Sequence, residues 1–137
     1  MTGYLLDTNV VSELAQPRPS ARVRDFLLAE ADLHLSTITL HELSYGAERA
    51  PDPARKIMLL AWIRDIATQF AGRIHPLDAA TAELSGRMRA LAQSAGQTAD
   101  PLDVMIAAAA VQRGLTVATR NTKHFAVFGV SLRDPWK

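Results

Sequence analysis

Three carboxylates occupy similar positions in the chain, each near a point where a helix is expected to follow a strand or loop. Asp7 ends an apolar run, Glu42 follows one, and Asp103 opens a helical run of small and apolar residues. In an alternating α/β chain, strand-to-helix turns gather at one edge of a parallel sheet, where ligands bind. The sequence therefore predicts that these acids, distant along the chain, meet in one pocket.

Such a pocket is expected to hold a divalent metal ion. Clustered carboxylates repel one another unless a cation joins them, and their oxygens suit hard cations such as Mg²⁺ or Mn²⁺. A metal of this kind lowers the pKa of its bound water and neutralises a phosphate group. The pattern therefore indicates metal-dependent phosphate chemistry.

Each acid also has a purely structural explanation. Asp7 fits a helix N-cap, residues Thr39 to Glu42 fit a capping box, and Asp100 with Asp103 fits a capped first turn. For any one acid alone the structural interpretation is favoured. Three independent caps would need no particular flanking residues, however, and all three acids lie within fuller sequence patterns. Together they favour a shared site.

The composition is that of one globular domain. The 137 residues are 48% hydrophobic and carry a net charge of +1, which allows a substantial core and excludes a strong overall field. From residue 112 onward five basic residues accompany one acidic residue, so this end could contact a phosphate backbone. The chain has no cysteine, which excludes disulfides and thiolate metal sites.

Other classes of protein find no support in the sequence. There is no signal-peptide pattern and no apolar run long enough for a bilayer, so a cytoplasmic protein without membrane contact is expected. The chain lacks the His-Glu-x-x-His pattern of zinc peptidases, the Gly-x-Ser-x-Gly pattern of serine hydrolases and a phosphate-binding glycine loop.

Hydrophobic periodicity and turn residues predict alternating strands and helices in a single domain over residues 1–137. The expected architecture is α/β, with a parallel sheet covered on both faces. The predicted strands are 3–6, 33–38, 73–77, 115–119 and 129–132, and the predicted helices are 8–14, 20–30, 39–49, 54–70, 78–95 and 100–113. Ser20 and Asp78 are expected to be N-caps, and Gly114 is expected to end the last of these helices. The helix at 78–95 is expected to bury a face made of Leu84, Met88, Leu91 and Ala95.

Four stretches of the chain, in order, resemble the motifs of PIN-domain nucleases. They are residues 5–14, 36–43, 102–110 and 117–125, and the closing Asp134-Pro135-Trp136 is similar to the end of the FitB-type branch. Essentially the whole chain resembles ribonuclease toxins of the VapC/FitB type, which belong to type II toxin–antitoxin pairs. Each motif alone is weak, but four motifs in order at the expected spacing are specific.

The resemblance implies a PIN-like α/β/α sandwich with a central, mainly parallel sheet, and an endoribonuclease that depends on Mg²⁺ or Mn²⁺. It assigns metal-ligand roles to Asp7, Glu42 and Asp103. It also implies a cognate antitoxin that inserts a basic side chain among these acids, an RNA substrate, contact with DNA only through the antitoxin, and a homodimer within a toxin–antitoxin hetero-oligomer.

The fourth motif departs from the family pattern. Many PIN nucleases have an aspartate where this chain has Asn121, and a second acid where it has His124. Asn121 is expected to complete the catalytic set, since an amide oxygen can bind a hard cation or its water. It brings no charge, so a second metal ion is expected to bind weakly. Asp100 could compensate one helical turn before Asp103, although a capping role is favoured for it.

Five further residues are candidates for supporting roles. The hydroxyls of Thr8 and Thr119 could orient carboxylates or a metal-bound water, and Asn9 could lie behind the metal ligands or cap a helix. Arg120 and Lys123 are expected to hold RNA phosphates. The alternatives are plain strand-end roles for the threonines and an exposed charge pair for the two basic residues.

Two rival functions use the same fold class. The first is a catalytically weak or silent interaction module, which Asn121 supports. The second is a receiver-like phosphoacceptor domain, which usually carries paired acids after its first strand. Only one acid, Asp7, stands at that position here, so the ribonuclease is preferred over both.

Overall fold

Five short parallel strands form the centre of the molecule in a computed structural model that describes residues 2–137. Their order across the sheet is β3-β2-β1-β4-β5, and every neighbouring pair is parallel. The strands are β1 Tyr4–Leu6, β2 Leu33–Ser36, β3 Ile74–His75, β4 Thr116–Ala118 and β5 Leu132–Arg133. The first strand lies in the middle because β2 and β4 pair with its two sides.

Helices cover both faces of this sheet. They are α1 Thr8–Glu13, α2 Ala21–Ala29, α3 Thr37–Glu48, α4 Pro53–Gln69, α5 Ala79–Ser94, α6 Pro101–Arg113 and α7 Thr122–Ala126. Successive side chains of a strand point to opposite faces. Leu6 accordingly packs with Val10, Val23 and Ile66 on one side, whereas Leu5 packs against α6 and α7 on the other. The predicted α/β/α sandwich is confirmed.

Local signals in the sequence set several helix ends. Ser20, Asp78 and Asp100 each accept a hydrogen bond from a backbone N–H in the first turn of the helix that follows, as expected for N-caps. Gly114 ends α6 in the left-handed conformation, with φ of 65°, where a glycine avoids the clash of a Cβ. These four predictions are confirmed.

One local prediction was wrong, and one helix was not predicted. The capping box at residues 39–42 does not form, because α3 begins two residues earlier with Ser36 as its N-cap. Glu42 therefore lies in the second turn of the helix, and its side chain is free for another role. The short helix α7 was not predicted, because five residues hold too little periodicity to be recognised.

The buried face of α5 also differs from the predicted one. Leu91 was expected in the core but is 70% exposed, and Ala95 is exposed as well. Thr81, Ser85 and Ala92 are buried instead. The reason is that α5 packs on α6, so small side chains are needed where the two helices approach. No helix within residues 2–137 is both long and apolar enough to cross a membrane.

Candidate active site

Asp7 lies at the centre of the site, directly after the central strand. It is the N-cap of α1, and its Oδ1 accepts a hydrogen bond of 2.8 Å from the backbone N–H of Thr8. Its own backbone N–H donates to the carbonyl of Ala118 at the end of β4. Only 4% of Asp7 is exposed. The predicted cap role is therefore confirmed, and it fixes the carboxylate at the carboxyl edge of the sheet.

A second set of hydrogen bonds ties the fourth motif to Asp7. The buried hydroxyl of Thr119 donates to Asp7 Oδ2 at 2.7 Å and accepts from the backbone N–H of Asn121 at 2.9 Å. The amide of Asn9 donates to Asp7 Oδ2 at 3.2 Å, and its Oδ1 accepts from the backbone N–H of Arg120 at 3.3 Å. Thr119 and Asn9 thus both donate to the same oxygen of Asp7, and their supporting roles in catalysis stay predictions.

Glu42 joins this network from α3. The hydroxyl of Thr8 donates to Glu42 Oε1 at 2.7 Å, across 34 positions of sequence. Because the backbone N–H of Thr8 also binds Asp7, one threonine holds two of the predicted metal ligands. These two hydrogen bonds are the contacts that the predicted role of Thr8 requires, and the role itself stays a prediction.

Asp103 approaches the same region from the first turn of α6. Asp100 caps this helix by accepting from the backbone N–H groups of Leu102 and Asp103. Burial is the largest cause that raises the pKa of Asp103 from 3.8 to about 6, and the negative charges of Asp7, Asp100 and Glu42 contribute to the same rise in that order of importance. The three predicted ligands therefore lie within electrostatic range of one another.

The other two acids are perturbed in the same direction. Burial raises the pKa of Asp7, and hydrogen bonds from Thr119 and Thr8 oppose the rise. Burial likewise raises the pKa of Glu42, with a smaller contribution from the charge of Asp7 and an opposing hydrogen bond from Thr8. Each acid is thus held in a place where a negative charge is unfavourable without a cation.

The donor set suits a hard divalent cation chemically. Three carboxylates whose charges disfavour one another are what such an ion requires. Within residues 2–137, however, no three acidic or histidine side chains converge closely enough to enclose an ion as they stand. Binding would therefore need small side-chain movements, for which the half-buried Glu42 and Asp103 have more freedom than Asp7.

Residues of the fourth motif lie beside an open cleft. Asn121 precedes α7, its side chain is exposed and it makes no capping hydrogen bond to that helix. Lys123 and His124 on α7 face Asp100 and Asp103 across a cleft of about 480 Å³. A protonated His124 lowers the pKa of both Asp7 and Asp103, so it acts on the acids through space.

Two features of the site escaped sequence reasoning. His124 was noted only as a missing acid, although its place in the fourth motif was the available signal. The guanidinium of Arg120 lies over the ring of Trp136, at 4.9 Å from the centroid. No signal in the sequence joined these two residues, because they meet only through the pairing of β4 with β5.

Comparison with known proteins places these features in a family. The model of the PIN domain matches residues 4–129. The toxin FitB of Neisseria gonorrhoeae is 40% identical over 136 residues, which cover 96% of this chain and 97% of FitB. The tRNA(fMet)-specific endonuclease VapC of Shigella flexneri is 33% identical over 138 residues, covering 99% of each protein.

Solved structures agree with the sequence matches. FitAcB from Neisseria gonorrhoeae superposes with a TM-score of 0.91 at 38% identity, over 97% of this chain and 98% of that one. A toxin–antitoxin complex from Klebsiella pneumoniae superposes with a TM-score of 0.76 at 26% identity, over 98% and 99%. The matched residues include Asp7, Glu42, Asp103 and Asn121. The chain belongs to the PIN domain family, and within it to the FitB and VapC type.

Proposed function

We propose that this protein is a Mg²⁺- or Mn²⁺-dependent endoribonuclease and the toxin of a type II toxin–antitoxin pair. The observation that carries the proposal is the electrostatic coupling of three acids from three elements of a PIN fold: the charge of Asp7 raises the pKa of Glu42, and the charges of Asp7 and Glu42 raise the pKa of Asp103. Relatives over nearly the whole chain are named as a toxin and as an RNA-cleaving endonuclease. A bound metal ion would draw Asp7, Glu42 and Asp103 together.

The three acids would hold the metal. A bound Mg²⁺ would supply a water of lowered pKa and a positive charge beside the scissile phosphate. The role of the protein is positioning. Thr119 and Asn9 fix the orientation of Asp7, and Thr8 fixes that of Glu42. Asn121 is joined to the site through its backbone N–H, which donates to Thr119, and its exposed amide oxygen is proposed to bind the ion or its water.

RNA would enter through the cleft between α6 and α7. One wall is acidic, with Asp100 and Asp103, and the other carries Lys123 and His124. A phosphate between these walls would meet the metal on the acidic side and a cationic side chain on the other, so its charge would be neutralised from both directions. Lys123 is thus proposed to hold the RNA backbone.

A second groove suits the antitoxin. It has a volume of about 290 Å³ and runs between α1, α3 and α4, with Thr8 and Glu42 at one end and Leu59, Trp62 and Ile63 among its apolar residues. An extended antitoxin segment could bury apolar side chains here and direct an arginine towards Glu42. A guanidinium can bridge carboxylates bidentately, and would then replace the metal.

The proposal is tested by RNA cleavage with purified protein. Cleavage is expected with Mg²⁺ or Mn²⁺ and is expected to stop with a chelator. Asp7→Asn should abolish it while the protein remains folded, because the isosteric amide keeps the cap but loses the charge. Asp65→Asn, an equal change at an exposed position of α4, is the control and should cleave normally.

Two results would contradict the proposal. Cleavage by a folded Asp7→Asn protein at the wild-type rate would remove the acids from the chemistry. A wild-type protein that binds an antitoxin but cleaves no RNA with either metal would be the silent interaction module. The proposed homodimer is checked separately by light scattering, against a chain mass of 14.9 kDa.

A further inference from the structure

The guanidinium of Arg120 lies over the ring of Trp136, next in sequence to a residue of the site. Its guanidinium carbon is 4.9 Å from the centroid of the Trp136 ring, a distance typical of stacked cation–π pairs. Arg120 is exposed, whereas Trp136 is half-buried and packs against the core beneath the sheet. The order is therefore core, indole, guanidinium and solvent, with the outer face of the guanidinium open.

The indole beneath Arg120 is held firmly. The backbone N–H of Trp136 donates to Asp134 Oδ1 at 2.9 Å, and the intervening Pro135 is buried. The segment follows β5, which pairs with β4, and the carbonyl of Arg133 accepts from the backbone N–H of Thr119. Both residues of the stack thus sit on one rigid edge of the sheet.

The guanidinium of Arg120 is not used inside the protein. Among residues 2–137 it has no ion-pair partner and no side-chain hydrogen bond. Arg73, which also lies over an aromatic ring, differs because its guanidinium donates to the carbonyls of Leu33 and Gln69. A planar cation fixed on a ring, with its polar edge and outer face free, is arranged to receive a ligand.

The backbone of Arg120 is tied to the site of the acids. Arg120 follows Thr119, whose hydroxyl binds Asp7, and its backbone N–H is held by Asn9, which also binds Asp7. In the chain, Arg120 is therefore the next residue after one that contacts Asp7. A nucleotide whose phosphate lies at the acids could place its neighbouring base on this side chain.

We propose that the Arg120–Trp136 pair is a stacking subsite for one unpaired nucleobase of the RNA next to the cleaved phosphate. This inference rests on the proposed function, because it requires an RNA substrate. Bases of single-stranded RNA stack on aromatic rings and on guanidinium planes. Stacking needs an accessible base, so the subsite selects single-stranded over paired RNA. The indole keeps the guanidinium flat and prevents its rotation towards solvent.

The simpler alternative is that Arg120 holds a phosphate by charge alone. A lysine could replace Arg120 in holding a phosphate, because it keeps the charge. It could not replace Arg120 in stacking, because it has no planar face. Arg120→Lys therefore separates them without disturbing the core. Arg133 lies over Phe26 at 5.0 Å and gives a matched control, since Arg133→Lys removes a similar stack on the neighbouring strand.

The experiment measures affinity for short single-stranded RNAs by fluorescence anisotropy. In one series of RNAs each nucleotide in turn is made abasic. All proteins carry Asp103→Asn to prevent cleavage. Three are compared: one with no further change, one with Arg120→Lys and one with Arg133→Lys. One abasic position is expected to weaken binding about tenfold with Arg120 present, from the usual strength of base stacking. The same position should have almost no effect in Arg120→Lys, and its full effect in Arg133→Lys.

The outcomes separate this inference from the proposed function. Equal abasic effects in the Arg120 and Arg120→Lys proteins would overturn the subsite, while cleavage by the wild type would leave the ribonuclease intact. Equal affinity of the two proteins for every RNA would overturn it in the same way. A wild-type protein that neither binds nor cleaves RNA would overturn both. The subsite is supported if the loss of affinity at one abasic position disappears in Arg120→Lys and remains in Arg133→Lys.

Discussion

Asp103 is the residue whose protonation is most strongly coupled to the fold. Burial, with the charges of Asp7, Asp100 and Glu42, raises its pKa from 3.8 to about 6. The folded protein therefore binds this proton more tightly than the unfolded chain does. Its contribution to stability is complete below pH 3.8 and is lost as the pH rises through about 6.

Asp103→Asn should consequently stabilise the metal-free protein at pH 7 and have little effect near pH 4. The amide removes a charge that the site disfavours, and the gain is expected to be on the order of 1 kcal/mol because the side chain is partly exposed and solvent screens the repulsion. Thermal unfolding with a chelator at both pH values measures it. Equal changes at the two values would show that charge is not the cause.

The same shift predicts that metal and protons compete. Below about pH 6 Asp103 is protonated, so the apparent affinity for Mn²⁺ should fall as the pH decreases from 7 to 5. Titration calorimetry measures this directly. An affinity that does not change over that range would exclude Asp103 as a ligand.

Asn121→Asp is expected to raise the affinity for Mn²⁺ and to lower the stability of the metal-free protein. The substitution adds an anionic ligand at the open end of a site that already concentrates negative charge. Gln93→Glu, which adds one charge at an exposed position of α5, is the control. An unchanged Mn²⁺ affinity in Asn121→Asp would mean that residue 121 does not reach the metal.

At the scale of elements, the start of α6 combines capping with electrostatics. Asp100 accepts two backbone N–H groups, and its charge also raises the pKa of Asp103. Asparagine caps helices as well as aspartate does, whereas alanine cannot. The two roles can therefore be separated by substitution.

Asp100→Asn should lower the pKa of Asp103 with little loss of stability. Asp100→Ala should lower that pKa as well and also destabilise the protein by about 1 kcal/mol, because the cap is lost. The pKa is measured by carbon-detected NMR titration and the stability by urea unfolding. A pKa of Asp103 that is the same in all three proteins would contradict the assigned electrostatic coupling.

At the scale of the whole molecule, the order of strands decides which side chains can meet. Because β1 lies between β2 and β4, the helix after β1 approaches both neighbours. The site and the groove between α1, α3 and α4 share Thr8 and Glu42. A partner that binds in the groove is therefore expected to change the metal affinity of the acids.

Antitoxin binding should compete with Mg²⁺. A basic side chain of the proposed antitoxin and the metal ion would use the same carboxylates, so the affinity for a cognate antitoxin should fall as Mg²⁺ increases at constant ionic strength. Asp103→Asn should weaken antitoxin binding and reduce its dependence on Mg²⁺. Affinity that is independent of both would show that the antitoxin inhibits without contacting the acids.

Local patterns determined much of this protein. Asp7, Asp78 and Asp100 were identified as caps from their positions before helical runs, and Gly114 as a helix end. These features depend on a few neighbouring residues, so intrinsic preferences reveal them. The order of strands and helices followed from hydrophobic periodicity for the same reason. Periodicity failed for α7, which is too short, and for Leu91, whose exposure depends on the packing of α5 against α6.

Only the tertiary structure decided how the site is held together. The contacts of Thr8 with Glu42 and of Thr119 with Asp7 span 34 and 112 positions, and the stack of Arg120 on Trp136 needs the pairing of two strands. Such contacts depend on strand order and on side-chain direction, which no local pattern specifies. The sequence by itself identified the candidate residues for the chemistry, whereas long-range packing determined which side chains contact and orient them.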